Sequence, residues 1–181
     1  SKAYSLIEID ITRGNLDPLP IAVSPLFQDD NSKRNSINEL KIENVGSEIS
    51  LVVENNLKIS GLFNPLNKEA FLQKPDIAHL KPRFEDWALI KAQALITGKV
   101  TIEDKKLKVE FRLWDILAGR EMMALAFTTV PGNWRRVGHI ISDKVYERLT
   151  GEKGYFDTRI IYVSEEGPKT ARVKKLSLIH I

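Results

Sequence analysis

The chain has no cysteine, and that absence removes disulfides, thiolate metal sites and cysteine nucleophiles together. It is equally compatible with a reducing and an oxidising compartment. No apolar run approaches a membrane span: Met122-Met123-Ala124-Leu125-Ala126-Phe127 falls far short of the ~20 residues a helix needs to cross a bilayer. Neither sign of charge dominates. Twenty-seven basic and 24 acidic residues leave a net charge of +3, and the two signs are interleaved along the chain. An isoelectric point near 9.0 therefore does not announce a nucleic-acid or membrane surface. Glycine-rich phosphate loops are missing, since Gly98 and Gly119 stand alone. There is no internal repeat and no low-complexity stretch.

What is present suits a globular protein. Of 181 residues, 43% are hydrophobic and 28% charged, enough apolar material for a core and a length for one domain, or one domain and a fragment. The chain carries no recognisable signal peptide. Ala3-Tyr4-Ser5 has the small-x-small form of a cleavage site, which makes Ser1 to Ser5 either a signal remnant or an artificial leftover.

The pattern along the chain is that of an α/β domain. Leu6-Ile7-Glu8-Ile9-Asp10-Ile11 alternates apolar and polar residues, as a half-buried strand or an extended arm does. Thr12-Arg13-Gly14-Asn15 breaks the alternation, and Pro18 and Pro20 hold the connection extended. Ile21-Ala22-Val23 is expected as a short buried strand, and residues 28–35 as a polar loop. Ser36-Ile37-Asn38-Glu39 has capping-box spacing and predicts a helix that ends at Ser60-Gly61. Leu62 to Leu66 is expected as a turn and residues 75–82 as a loop. Phe84 to Leu89 is expected as a short helix. Three strands follow: 94–102, 107–114 and 121–130, the last more apolar and so expected to be the more buried. Trp134, Val137, Ile141, Val145 and Leu149 form the core stripe of a final helix, stopped by Gly151. Residues 158–164 and 172–181 are expected as two strands. An apolar strand at the end with no partner in the sequence implies that a larger β domain follows.

Candidate chemistry is sparse. His79, His139 and His180 lie far apart, and none has a second ligand at metal spacing; ordinary structural histidines are expected, with His139 on the polar side of its helix. Glu85-Asp86 suits the first turn of a helix, and Asp10 and Asp17 suit caps or turns. No carboxylate pair has a clear acid–base role. Arg135 and Arg136 open a helix, where the dipole disfavours cations; a solvated pair is expected, with pairing to a nearby acid or a contact with a partner as the alternatives. Lys174-Lys175 is expected on an exposed edge. The positive sign of interaction is the amino-terminal segment. It is suited either to adding a strand to another protein's sheet or to forming an edge of its own sheet.

Several stretches together carry a family resemblance. They are Arg13-Gly14 followed by Pro20-Ile21-Ala22-Val23; Ser60-Gly61-Leu62-Phe63; Leu95-Ile96-Thr97-Gly98; Leu113-Trp114-Asp115; Trp134-Arg135-Arg136; and the block from Gly138 to Gly151 with Gly154-Tyr155-Phe156-Asp157. Over residues 6 to 164 the chain resembles the amino-terminal part of the TolB family of the bacterial Tol-Pal system. The resemblance implies an α/β fold with a mixed sheet covered by helices, similar to anticodon-binding domains, followed by a β-propeller truncated here. It divides the chain into an arm at 1–14, the α/β domain at 15–157 and the start of the propeller at 158–181.

The same resemblance implies a non-enzymatic periplasmic protein with no cofactor and no metal. Such a protein serves envelope integrity, outer-membrane constriction in cell division and protein import. The arm, here Leu6, Ile7, Glu8, Ile9, Asp10, Ile11, Thr12 and Arg13, would bind the carboxy-terminal domain of TolA. Pal would bind mainly through the propeller, so Pal and colicin binding are expected to be weak or absent in this chain. Coupling between the two sites would change whether the arm is docked or free. Direct membrane insertion and nucleic-acid binding are not expected. The rival readings are a nucleic-acid module of anticodon-binding-like fold and a small hydrolase. A dimer through the carboxy-terminal strands is a further expectation.

Overall fold

The computed structural model describes residues 6–14, 17–31, 42–166 and 173–180, the last strands (159–166 and 173–180) by their backbone. Its centre is a six-stranded mixed sheet. The strands are β1 (Leu19–Val23), β2 (Phe27–Gln28), β3 (Phe63–Pro65), β4 (Ala94–Glu103), β5 (Lys106–Asp115) and β6 (Arg120–Thr129). The order is β3-β1-β4-β5-β6, with β2 on the same side of β4 as β1 but further along it. β1 is parallel to both β3 and β4, while β4, β5 and β6 form an antiparallel meander.

Alternation in β5 shows how the sequence makes two layers. Leu107, Val109, Phe111 and Leu113 are fully buried, while Lys106, Lys108 and Arg112 are exposed between them. Two long helices cover the apolar face, α1 (Val45–Ile59) and α4 (Trp134–Thr150). All five residues of the expected α4 stripe are buried, and they join β1, β4, β5 and α1 in the main core. A smaller core lies around Ala22, Leu95 and Trp114. It is closed by the short helices α2 (Pro75–Ala78) and α3 (Phe84–Leu89), with Trp87 at its middle.

Several expectations are corrected. The long helix starts at Val45, not Ser36. Asn44 caps it by accepting from Ser47 N–H at 2.9 Å, and the Ser36 capping box lies outside the described residues. Ser60 and Gly61 do end it. The segment Phe63–Pro65 is a parallel edge strand instead of a turn, and residues 75–78 are helical where a loop was expected. Gln28 is in a strand and Asp30–Asn31 are helical where a loop over 28–35 was expected, and residues 32–35 lie outside the described residues. β6 is not the most buried of the meander strands. Helix α4 packs over β5, and β6 lies at the sheet edge with Ala124, Leu125 and Ala126 exposed. An apolar sequence shows that a strand can be buried, but the number of neighbours decides whether it is.

The hairpin of β4 and β5 turns at Asp104 and Lys105, both left-handed with φ of 50° and 59°. This is the geometry of a two-residue turn matched to strand twist, made without the usual glycine. At the carboxy-terminal end the two expected strands, β7 (Arg159–Glu166) and β8 (Val173–His180), pair antiparallel, so the last strand, expected to lack a partner, has one in β7.

Candidate functional site

The amino-terminal segment is an arm, not a strand. Leu6 to Asp10 run without regular structure and join no sheet. The alternation still sets the faces: Ile7 and Ile9 turn inward, while Leu6, Glu8 and Asp10 are exposed. Ile9 is 8% exposed and belongs to the main core, with Ile7 packed at its margin.

Two main-chain donors fasten the arm. Ile9 N–H donates to the Leu149 carbonyl at 2.7 Å. Leu149 lies in the last turn of α4, where carbonyls have no partner within the helix, so the arm supplies one. Ile7 N–H donates to Asp115 Oδ2 at 3.1 Å. Asp115 ends β5 and is 1% exposed, and its Oδ1 accepts Ala118 N–H at 2.9 Å across the turn to β6.

Beyond Ile9 the arm curls on itself. Asp10 Oδ1 accepts the Thr12 hydroxyl at 2.6 Å and Thr12 N–H at 3.1 Å, and Oδ2 pairs with Arg13 Nε at 3.2 Å. These contacts, the Thr12 hydroxyl first, hold the Asp10 carboxyl below the ordinary carboxylate range. The arm is a wall of two open clefts. One of about 490 Å³ lies towards β1, bounded by Glu8, Asp10, Arg13, Asp17 and Gln93. The other, about 440 Å³, is bounded by Ile11, Thr12, Thr150 and Glu152.

The other sequence candidates stay apart. His79 stacks on Phe27 with ring centroids 4.6 Å apart. Burial first, then the charges of Lys99 and Arg112, depress its pKa, so the ring is neutral at neutral pH. His139 is not on a polar face: it is buried, and its Nδ1 lies 2.8 Å from Asn56 Nδ2, which also donates to Ser142 Oγ at 3.0 Å. This is a polar contact between α1 and α4. His180 lies on β8, where the backbone alone is described. Among the described residues no three His, Asp or Glu side chains are grouped to hold a metal ion. Asp86 pairs with Arg83 at the start of α3, in keeping with the first-turn expectation. The two arginines of α4 have separate uses: Arg135 lies over the Trp134 ring at 4.7 Å, and Arg136 pairs with Asp157 at 3.3 Å. For Arg136 the acid-paired alternative holds.

Sequence reasoning marked the arm but missed its two acceptors. Asp115 follows a strand, where an aspartate suits a turn, but nothing in the sequence ties it to Ile7, 108 residues away.

Residues 7–122 match the TolB amino-terminal domain family. A Tol-Pal system protein TolB from Pelagibacter ubique (strain HTCC1062) is 78% identical over 178 residues, covering 98% of this chain and 40% of the relative. The crystal structure of TolB from Acinetobacter baumannii superposes with a TM-score of 0.67 at 21% identity, covering 91% of this chain and 36% of that one. That second likeness is one of fold. The chain spans about 40% of the length of the curated relative. Matched over most of its length by the family and nearly four-fifths identical to a curated relative, the chain belongs to the TolB family.

Proposed function

We propose that this chain is the amino-terminal part of a periplasmic, non-enzymatic component of the Tol-Pal system. Residues 6–13 bind the carboxy-terminal domain of TolA by adding a strand to its sheet. In the whole protein, Pal is engaged mainly through the propeller that begins near residue 158, and the α/β unit at 15–157 carries the arm between the two. The protein thereby links an inner-membrane partner to an outer-membrane lipoprotein and supports envelope integrity and division.

The observation that carries this reading is the state of the arm. Its inward and exposed residues alternate outside every described sheet, and the N–H groups of Ile7 and Ile9 donate to the body of the fold beside the buried Ile9 side chain. Strand addition needs a segment whose backbone groups can be handed to a partner without dismantling the fold. Detaching residues 6–10 breaks no ladder.

The test is a calorimetric titration of the chain, with and without residues 1–13, against purified TolA carboxy-terminal domain. Binding that disappears on deletion is expected. Binding that survives the deletion, or no binding by the intact chain, overturns the arm as an autonomous site.

A further inference from the structure

The arm's two backbone donors meet acceptors of different kinds. The Leu149 carbonyl belongs to the main chain of α4, and it is present whatever side chain stands there. Asp115 is a side chain, and it divides its two oxygens. Oδ1 holds Ala118 N–H in the local turn, and Oδ2 holds Ile7 N–H. At 1% exposure there is little water to take the place of either donor. We propose that Asp115 is the latch of the arm: it sets the fraction docked, and thereby the fraction available to a partner. The availability half rests on the partner-binding reading above; the latch itself does not.

The chemistry distinguishes this role from simple turn capping. A carboxylate only accepts, so it serves two N–H groups at once, and its charge strengthens both bonds. An asparagine has one oxygen and one NH2 group. The turn is local and needs the oxygen, which leaves the NH2 group facing Ile7 N–H, donor against donor. Asparagine is as good a turn and cap residue as aspartate. If Asp115 only capped its turn, Asp115→Asn would therefore be close to silent. If it latches the arm, the same change keeps the turn and rejects residue 7. The asymmetry points to Asp115 as a positioning residue, acting on the arm from outside it.

The experiment is amide hydrogen exchange on the full chain, comparing wild type with Asp115→Asn. Exchange at Ile7 and Ile9 should become about tenfold faster, the loss expected for a hydrogen bond to a charged group, with Ala118 unchanged. Unchanged protection of Ile7 and Ile9 overturns the latch. If Ala118 also exchanges faster, Ile7→Pro decides when set against Ile7→Ala, because both lose the Ile7 side chain and only the proline removes the donor, with Asp115 and its turn intact. Faster exchange at Ile9 in the proline than in the alanine variant supports the latch, and equal exchange overturns it. A parallel titration of Asp115→Asn with TolA carboxy-terminal domain should show tighter binding, by the factor in which the free arm has grown. Faster exchange with unchanged affinity would leave the latch standing and overturn the partner-binding reading.

Discussion

The amino-terminal arm and the segment 151–158 both lean on helix α4, and they are held in opposite ways. The arm meets α4 in its last turn, through the Leu149 carbonyl, and reaches Asp115 elsewhere on the fold. The later segment is gripped by side chains from the body of the helix. Asp143 accepts Phe156 N–H at 2.7 Å and Asp157 N–H at 3.0 Å, one on each oxygen. Glu147 accepts Gly154 N–H, and Arg136 pairs with Asp157. Tyr146, Tyr155 and Phe156 pack their rings together with centroids 4.5 to 5.9 Å apart. Burial within this cluster pushes the Tyr146 hydroxyl pKa upward. When the arm leaves it gives up the donors of Ile7 and Ile9, one of them to a carboxylate, and the packing of those two side chains. The later segment adds an ion pair and an aromatic cluster to several charge-assisted bonds. Segments that leave and dock again belong to the least stable part of a fold, and segments that transmit orientation belong to the most stable part.

The largest test of this contrast is Gly154→Ala. A Cβ at Gly154 would sit 2.5 Å from the Asp143 Cα, a backbone atom that cannot step aside. The substitution should cost about 3 kcal/mol by overpacking and pull residues 154–157 from the helix, as read by chemical denaturation. Next comes Asp143→Ala, which removes both acceptors at once and leaves the Phe156 and Asp157 N–H groups without them. A loss of about 2 kcal/mol is expected, with faster exchange at those two amides. If either change is silent, the segment is no more firmly held than the arm.

The matching change in the arm should behave differently. Ile9→Ala removes a nearly buried side chain from the main core, which in a fixed element costs roughly 2–5 kcal/mol. In a segment able to detach, the global loss is capped by the docking free energy. Less than about 2 kcal/mol, below the core-sized range, should appear in denaturation, while the exchange protection of Ile7 and Ile9 is lost. A full core-sized loss would make the arm an integral part of the fold and erase the contrast.

How far the sequence foretold this depends on whether the cause was local. The α4 stripe, its stop at Gly151 in the left-handed region and the short helix at Phe84 all follow from spacing and turn chemistry within a few residues. The Asn44 cap was overlooked because Ser36 offered a better-formed capping pattern eight residues earlier. The β6 edge was misread for a different reason: hydrophobicity records what a strand tolerates, and edge position is a property of the whole sheet. The buried His139 and its Asn56 partner, and the meeting of Asp115 with Ile7, join residues 83 and 108 positions apart. No period or motif reports such pairs. The arm itself was legible from its alternation, but its state was not. The same six residues suit a strand, a docked arm or a free one, and tertiary contacts choose between them.

The smallest effect expected is also the one that says what shapes the tip of the arm. Asp10 is fully exposed, and its lowered pKa has the Thr12 hydroxyl as first cause and Thr12 N–H as second, with Arg13 behind both. A carboxyl depressed in the folded state adds stability above its unfolded pKa and loses it as pH falls through the folded one. The turn at 10–13 should therefore stay closed at neutral pH and open only in acid, below the ordinary carboxylate range. An NMR titration of the Asp10 carboxyl, alongside the Thr12 amide, follows this directly. High salt screens the exposed Arg13 charge but leaves the short Thr12 hydrogen bonds in place. It should move the Asp10 midpoint only slightly, whereas Thr12→Val should raise it clearly. If salt alone restored an ordinary midpoint, the tip would be shaped by its ion pair. Its conformation would then respond to ionic strength as the docked isoleucines never could.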